Sequence, residues 1–281
     1  VKSQKVLVIG TSDFGTACAL RLEFSGWQVV LIGRQIALDI YHTRTFTGGF
    51  FSGKKTINNV TAITQAGSIE QEETAPDMSL EDFVIHEVAN RRIPLIEYSE
   101  FGAIKKLPFP YIVITDEAIW KNLLPLTGEV EATTIGPNGF TETNLTYRLA
   151  DDDLFLGRVI YPFIEEDFAI KEPQEKRLGK EDKFQVKAPL EGVFTATKEL
   201  DDAVLEREEI GKINEIPILS PEKGRLSGIL NSGLIVPRNT VFAEIDTSPS
   251  VRSATVIPSK YFSLAGGVLE AILYDLHLNT T

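Results

Sequence analysis

Residues 188–213, APLEGVFTATKELDDAVLEREEIGKI, and residues 220–245, SPEKGRLSGILNSGLIVPRNTVFAEI, align without gaps at an offset of 32. Pro189 matches Pro221, Gly192 matches Gly224 and Phe194 matches Leu226. Val204 matches Val236, Ile210 matches Phe242 and Ile213 matches Ile245. Each copy is a string of short apolar segments broken by proline and glycine corners. One copy has nothing to cover its apolar face, whereas two copies can close on each other. The second half of the chain is therefore expected to be a small all-β module with one shared core.

The first half has a different rhythm. Val6 to Ile9 is a continuous apolar run, as in a strand buried on both faces. Gly10 ends it. Phe14, Ala17, Cys18, Leu20, Arg21 and Phe24 then recur at helical spacing, Gly26 closes the helix, and Trp27 to Ile32 is a second apolar run. Strand, glycine turn, helix and strand in this order open a parallel α/β fold. Further along, Phe50 to Val60 reads as a hairpin or two short strands around Gly53. Ser79 to Asn90 reads as a helix that Ser79 can cap, with Asp82 three residues on. Ile93 to Ile96, Tyr111 to Thr115 and Val130 to Ile135 read as strands. Loops after strand ends form the ligand edge of an open α/β sheet. Three loops share it: Gly10 to Thr16, Thr115 to Ala118, and Gly136 to Phe140.

The chain has 281 residues, 43% apolar and 24% charged, the balance of a globular protein with a sizeable core. A net charge of −12 disfavours nucleic acid and anionic membrane surfaces. No apolar run approaches the ~20 residues of a membrane span, and a cytoplasmic location is expected. With three separated histidines and one cysteine, no metal site of the zinc type is expected. Cys18 falls inside an apolar helical pattern and reads as a core residue.

The stretch GTSDFGT compares only in part with a dinucleotide fingerprint. Gly10 fits the tight turn and Gly15 the close packing of helix on strand. Ser12 stands where a middle glycine lets a pyrophosphate approach. The second strand ends in Gly33-Arg34, which suits a 2′-phosphate rather than a bare ribose. Asp13 complements the helix dipole but repels a phosphate. The turn either holds a ligand or only shapes the chain.

Between the halves, Glu165 to Lys183 is dense in Asp, Glu, Lys and Arg, and reads as a polar linker or long loop. The chain closes with an amphipathic helix on Leu264, Ala265, Val268, Leu269, Ile272 and Leu276, which Ser263 can cap. Gly266 and Gly267 at its start either leave amides open to an anion or allow close packing.

The repeat resembles the barrel-sandwich fold of biotinyl and lipoyl domains. Those carriers present a lysine on the turn between their halves. Here that connection is Asn214 to Leu219, without lysine, so the fold is kept and the carrier role rejected. The module is left as structural support or a cover over the ligand edge.

The segment Val256 to Leu273, VIPSKYFSLAGGVLEAIL, resembles the C-terminal signature of the YqeB-type accessory proteins of selenium-dependent molybdenum hydroxylases. The glycine turn, TRTFTGGFFSGKKTINNVTA, TDEA, GPNGF, LGRVIY, APLEGVF and GRLSGILNSGLIV follow in the same order. The resemblance implies a role in maturing molybdenum hydroxylases, with such an enzyme or its maturation machinery as partner. It also makes Asp13 an expected residue of the turn. Departures are Ser12, Gly33-Arg34, Asp151 to Asp153, Ala254 where the family has cysteine, and Ser259 beside the retained Lys260.

The expected architecture is α/β. A Rossmann-like domain with a parallel sheet spans 1–164, and a polar linker or loop spans 165–183. A barrel-sandwich hybrid module spans 184–248, and a segment and helix returning to the first domain span 249–281. The expected function is an accessory protein, non-catalytic rather than an enzyme. It would bind a phosphate-bearing nucleotide or a molybdopterin-type cofactor through Gly10, Ser12, Asp13, Gly15, Thr16, Arg34, Asp116, Gly136, Pro137, Gly139, Lys260, Gly266 and Gly267. Arg252 and Arg44 are further candidate charge partners. The alternatives are an NADP- or NAD-dependent oxidoreductase and a protein-binding scaffold. The oxidoreductase lacks a Tyr-x-x-x-Lys pair to support it.

Overall fold

The computed structural model describes residues 5–34, 39–71, 77–127, 132–140, 144–152, 155–161, 183–248 and 253–279. The polar tract expected at 165–183 and the candidate Arg252 lie outside them, apart from Lys183 at the tract's end. The protein is mixed α/β and divides into two compact units. One comprises Val1–Gln35, Thr45–Ile164 and Ile257–Thr281, the other Ile36–Arg44 and Glu165–Val256.

In the first unit the elements run β1 (Lys5–Ile9), α1 (Asp13–Phe24), β2 (Gln28–Gly33), α2 (Gly49–Ser52), β3 (Lys54–Ile57), β4 (Val60–Ile63), α3 (Gln65–Glu70), α4 (Leu80–Ala89), β5 (Ile93–Glu97), α5 (Phe101–Ile104), β6 (Tyr111–Ile114), α6 (Glu117–Thr127), β7 (Thr133–Pro137), β8 (Tyr147–Leu149) and β9 (Val159–Ile160). They form one nine-stranded sheet of order β3-β4-β5-β2-β1-β6-β7-β8-β9. The pairs β3/β4 and β8/β9 are antiparallel and the rest parallel. Strand order reverses between β1 and β6, and the carboxyl ends of those strands are where an open α/β sheet of this order places its ligands.

Alternation along the strands separates two cores. Val6, Val8, Val29 and Leu31 face one side, under α1 and α7 (Ser259–Leu278, closing this unit). Leu7, Ile9, Val30 and Ile32 face the other, among Phe83, Phe101 and Trp120 from the later helices. Both faces are covered, so the central strands are apolar between their ends, with polar residues only at the ends, such as Lys5, Gln28 and Glu97.

Three local expectations change. The hairpin turns at Asn58-Asn59, both with positive φ, and not at Gly53. Phe50 and Phe51 instead lie in α2. The strand placed at Val130 to Ile135 runs Thr133–Pro137, so Gly136 and Pro137 are strand residues and not loop residues. The last helix begins at Ser259 behind Pro258, and Ser263 lies inside it. The helix expected behind Ser79 is present as α4, and the Ser79 hydroxyl accepts the Asp82 amide at 3.1 Å.

The second unit contains β10 (Lys183–Lys187), β11 (Gly192–Ala196), β12 (Ala203–Val204), β13 (Glu209–Ile213), β14 (Ile216–Leu219), β15 (Gly224–Ile229), β16 (Ile235–Val236) and β17 (Val241–Asp246). They form two four-stranded antiparallel sheets, β10-β17-β15-β12 and β14-β13-β11-β16. The repeat maps strand on strand: β11 to β15, β12 to β16, β13 to β17, and the same offset carries β10, just ahead of the first copy, onto β14, just ahead of the second, so that each copy with its leading strand supplies four strands. Exchanging the copies turns one sheet order into the other, so each sheet takes two strands from each copy. Phe194 and the repeat-related Leu226 are fully buried, as are Ile210 and Phe242.

Residues 39–44 are part of this unit. Ile40 joins its core, and the Ile229 amide donates to the Ile40 carbonyl at 3.0 Å. Tyr41 donates to buried Glu244 at 2.8 Å, beside Ser227 at 2.7 Å and Lys183 at 2.6 Å. Burial alone would raise the Glu244 pKa; the three donors hold it below the ordinary value.

Candidate functional site

The turn from β1 into α1 is shaped by its two glycines. Gly10 sits at φ +116°, and a Cβ there would lie 2.3 Å from the Thr115 hydroxyl oxygen. A Cβ at Gly15 would lie 1.9 Å from the Gly10 carbonyl oxygen. These contacts require glycine whether or not anything binds.

The inside of the turn is filled by threonines. Thr16 donates to the Thr11 carbonyl at 2.9 Å, and its hydroxyl accepts the Phe46 amide at 3.0 Å. Thr47 lies 2.9 Å from the Thr11 hydroxyl, and Thr115 donates to the Ile9 carbonyl at 2.8 Å. Thr16 is thus committed to the chain itself. Ser12 is exposed at the N-cap, and its hydroxyl makes no capping bond. Asp13 is buried in the first turn, where its charge complements the helix dipole. Cys18 is fully buried, and that burial pushes its thiol pKa well up against a smaller opposing effect of Arg21.

The next loop joins this turn. The Asp116 amide donates to Ile9, and the Asp116 carboxylate accepts the Ile119 amide at 2.9 Å, tying the start of α6. Gly136 packs on the end of β6, where a Cβ would lie 3.0 Å from the Ile114 carbonyl oxygen. Gly139 follows in the turn, its amide on Asp151 at 3.1 Å.

At the end of β2, a Cβ on Gly33 would lie 2.6 Å from the Thr11 methyl, so this strand end meets the glycine turn. Arg34 comes next, half-buried, with its guanidinium 5.5 Å from the centre of the Tyr98 ring. Its Nε is buried and has no hydrogen-bond partner among the described residues. Tyr98 was missed from sequence, although it lies directly after β5, on the edge where ligand loops gather.

The C-terminal candidates divide. Lys260 lies 4.9 Å from the Tyr261 ring centre, and Tyr261 stacks at 6.5 Å on Phe14 in the first turn of α1. Lys260 therefore belongs near the start of α1. Gly266 and Gly267 do not form a helix start. They lie in mid-helix, Gly266 beside Arg21, and a Cβ at Gly267 would lie 2.0 Å from the Gly157 carbonyl oxygen. Close packing explains them, and their place in the ligand site is corrected accordingly. Arg44 is buried in the other unit, over Tyr41 at 4.2 Å and donating to Ala254 at 3.2 Å.

Among the described residues no three His, Cys, Asp or Glu side chains gather as a metal site, and no helix is long and apolar enough to cross a membrane.

The chain is 27% identical over 279 residues to the uncharacterized protein YqeB of Escherichia coli (strain K12), covering 98% of this chain and 48% of that protein. The likeness to YqeB drawn from the sequence is therefore borne out, and the chain spans about half the length of YqeB. No protein-family model matches. An aspartoacylase family protein from Mesorhizobium loti aligns with TM-score 0.25 and 11% identity over 87% of this chain and 86% of its own. A succinylglutamate desuccinylase/aspartoacylase from Rhodobacter sphaeroides aligns with TM-score 0.22 and 10% identity over 86% of each chain. Likenesses of that degree establish neither fold nor activity.

Proposed function

We propose that the protein is a non-catalytic accessory protein of the YqeB type that holds a small phosphate-bearing ligand at the carboxyl edge of its parallel sheet. The observation that carries this reading is Arg34. A buried guanidinium N–H without a partner is unfavourable by about 1–3 kcal/mol, and an anion supplies the missing acceptor. Tyr98 offers a flat face beside it, and Lys260 adds a second cation near the start of α1.

The Rossmann-like turn suits a dinucleotide pyrophosphate poorly. Ser12 replaces the middle glycine, Asp13 puts a negative charge in the first turn, and threonines fill its inner side. A terminal phosphate on Arg34 avoids all three obstacles. That fits the phosphate of a molybdopterin-type cofactor. The 2′-phosphate of NADP also suits Arg34, but NADP still brings a pyrophosphate to the turn. A molybdopterin-type cofactor supplies metal-centred redox chemistry to the enzyme that finally carries it. Arg34 and Lys260 would serve only to hold its phosphate. The partner on this reading is a molybdenum hydroxylase or its maturation machinery.

The intertwined β unit supports a barrel-sandwich reading without a carrier lysine, since the β13–β14 turn is Asn214-Glu215. Its exposed Val193, Leu219 and Ile235 favour a second reading, a protein-binding scaffold.

The test is thermal stability with NADP, ATP, GTP, CTP and a molybdopterin source. A ligand at a hundred times its dissociation constant adds about 2.7 kcal/mol. The expected result is stabilisation by one of them that Arg34→Ala removes. Stabilisation unchanged in Arg34→Ala overturns the site. No stabilisation by any compound overturns the reading in favour of the scaffold. Nicotinamide turnover with NADP would replace it with the oxidoreductase.

A further inference from the structure

At the opposite end of the sheet, where β2 begins, the C-terminal ends of α1 and α4 enclose a cleft of about 340 Å³. We propose that this cleft binds a small zwitterion of the α-amino-acid type with an apolar side chain. The inference is independent of the reading of Arg34.

Three kinds of wall meet there. Trp27 and Val88 are buried apolar residues, and Phe24 is 66% exposed beside them. Arg91 and Arg92 lie on the turn after α4. Arg92 is held by the buried Glu87 carboxylate, Nε to Oε2 at 2.5 Å. Arg91 is exposed; its backbone amide donates to the Val88 carbonyl, while its guanidinium makes no hydrogen bond or ion pair among the described residues and can donate to a carboxylate.

Glu23, in the last turn of α1, supplies the opposite charge. Burial raises its pKa, against a smaller opposing effect of Arg91. An ammonium group beside Glu23 would stabilise its ionised form. The carbonyl ends of both helix dipoles favour a cation in the same place.

A ligand with only one charge leaves one wall unmatched. A zwitterion matches both and lays its side chain against Phe24, Trp27 and Val88. The volume is at the small end of ligand pockets, suited to an amino acid rather than a nucleotide.

Titration calorimetry of the full chain with L-leucine and L-phenylalanine tests the proposal, with their amides and N-acetyl forms as probes of each charge. The expected result is saturable binding of at least one free amino acid. Its amide and N-acetyl form should each bind at least about tenfold more weakly, from loss of one charge-assisted contact. Arg91→Asn should lower the affinity of the free amino acid to that of its amide. Asparagine tolerates the φ of +56° at this position, so the variant keeps the turn. Glu23→Gln should lower it to that of the N-acetyl form. No saturable binding of either amino acid, or equal affinity in wild type and Arg91→Asn, overturns the proposal.

Discussion

The two ends of the parallel sheet differ in the opposite sense to their sequences. The carboxyl end carries the glycine turn, yet the protein's own threonines occupy the inside of that turn, leaving Arg34 as its open group. The amino end carries no motif, yet it holds both a cleft and a dense polar cluster. There Asp275 on α7 accepts from Tyr111 at 3.1 Å, Tyr147 at 3.2 Å and Thr133 at 3.4 Å. Tyr161 donates to Glu270 at 2.7 Å, and the Tyr147, Tyr161 and Tyr274 rings pack together. Glycine spacing thus reports how closely backbones approach. Whether a ligand has room depends on side chains that arrive from elsewhere in the chain.

The comparison is broken most sharply at Gly15. Gly15→Val forces side-chain atoms through the Gly10 carbonyl and is expected to cost about 3 kcal/mol or more, up to failure to fold, as read by urea unfolding. Gly267→Ala places a methyl against the Gly157 carbonyl and should cost about 2 kcal/mol in the same assay. If Gly267→Ala instead leaves stability unchanged, close packing does not explain that glycine.

At the amino end, Asp275→Ala leaves the Tyr111 and Tyr147 hydroxyls without their acceptor, and should cost about 1–2 kcal/mol. The same cluster sets an alkaline limit. Burial and then Asp275 push Tyr147 up to about 12, and Tyr111 rises from the same causes. In the unfolded chain these phenols ionise near their ordinary value of about 10. Their contribution is therefore complete below that pH and lost as pH rises through 10 towards 12. Phenolate absorbance should show the delayed titration, and Asp275→Ala should bring it to lower pH. The smallest effect is expected at the turn itself. Ser12→Gly supplies the middle glycine of the fingerprint, but Ser12 makes no capping bond and has φ −63°, so stability should change by only a few tenths of a kcal/mol. If Ser12→Gly confers dinucleotide binding in the thermal assay, the serine alone was the obstacle.

Much of the fold was legible because its signals are local or periodic. Val6 to Ile9 and Val29 to Ile32 are apolar on every residue, as strands buried on both faces must be. The Ser79 cap and the offset of 32 between repeats can be read without neighbours. Misreadings came where local chemistry allowed two answers. Gly53 could turn a hairpin, but the Asn58-Asn59 pair also takes positive φ and does so. Gly266-Gly267 could open a helix or let one pack, and only the Gly157 backbone decides between them.

The sequence by itself determined the alternation of buried faces, the glycine-dependent turn and the twofold plan of the β unit. These follow from side-chain polarity and backbone conformational freedom, which belong to each residue wherever it sits. The tertiary structure decided which copy of the repeat supplies each strand, which threonines fill the turn, and which charges are left open. Those depend on distances between residues far apart in the chain: Thr16 with Phe46, Gly33 with Thr11, Glu23 with Arg91. Spacing along the chain carries no information about such distances until the sheet order is set.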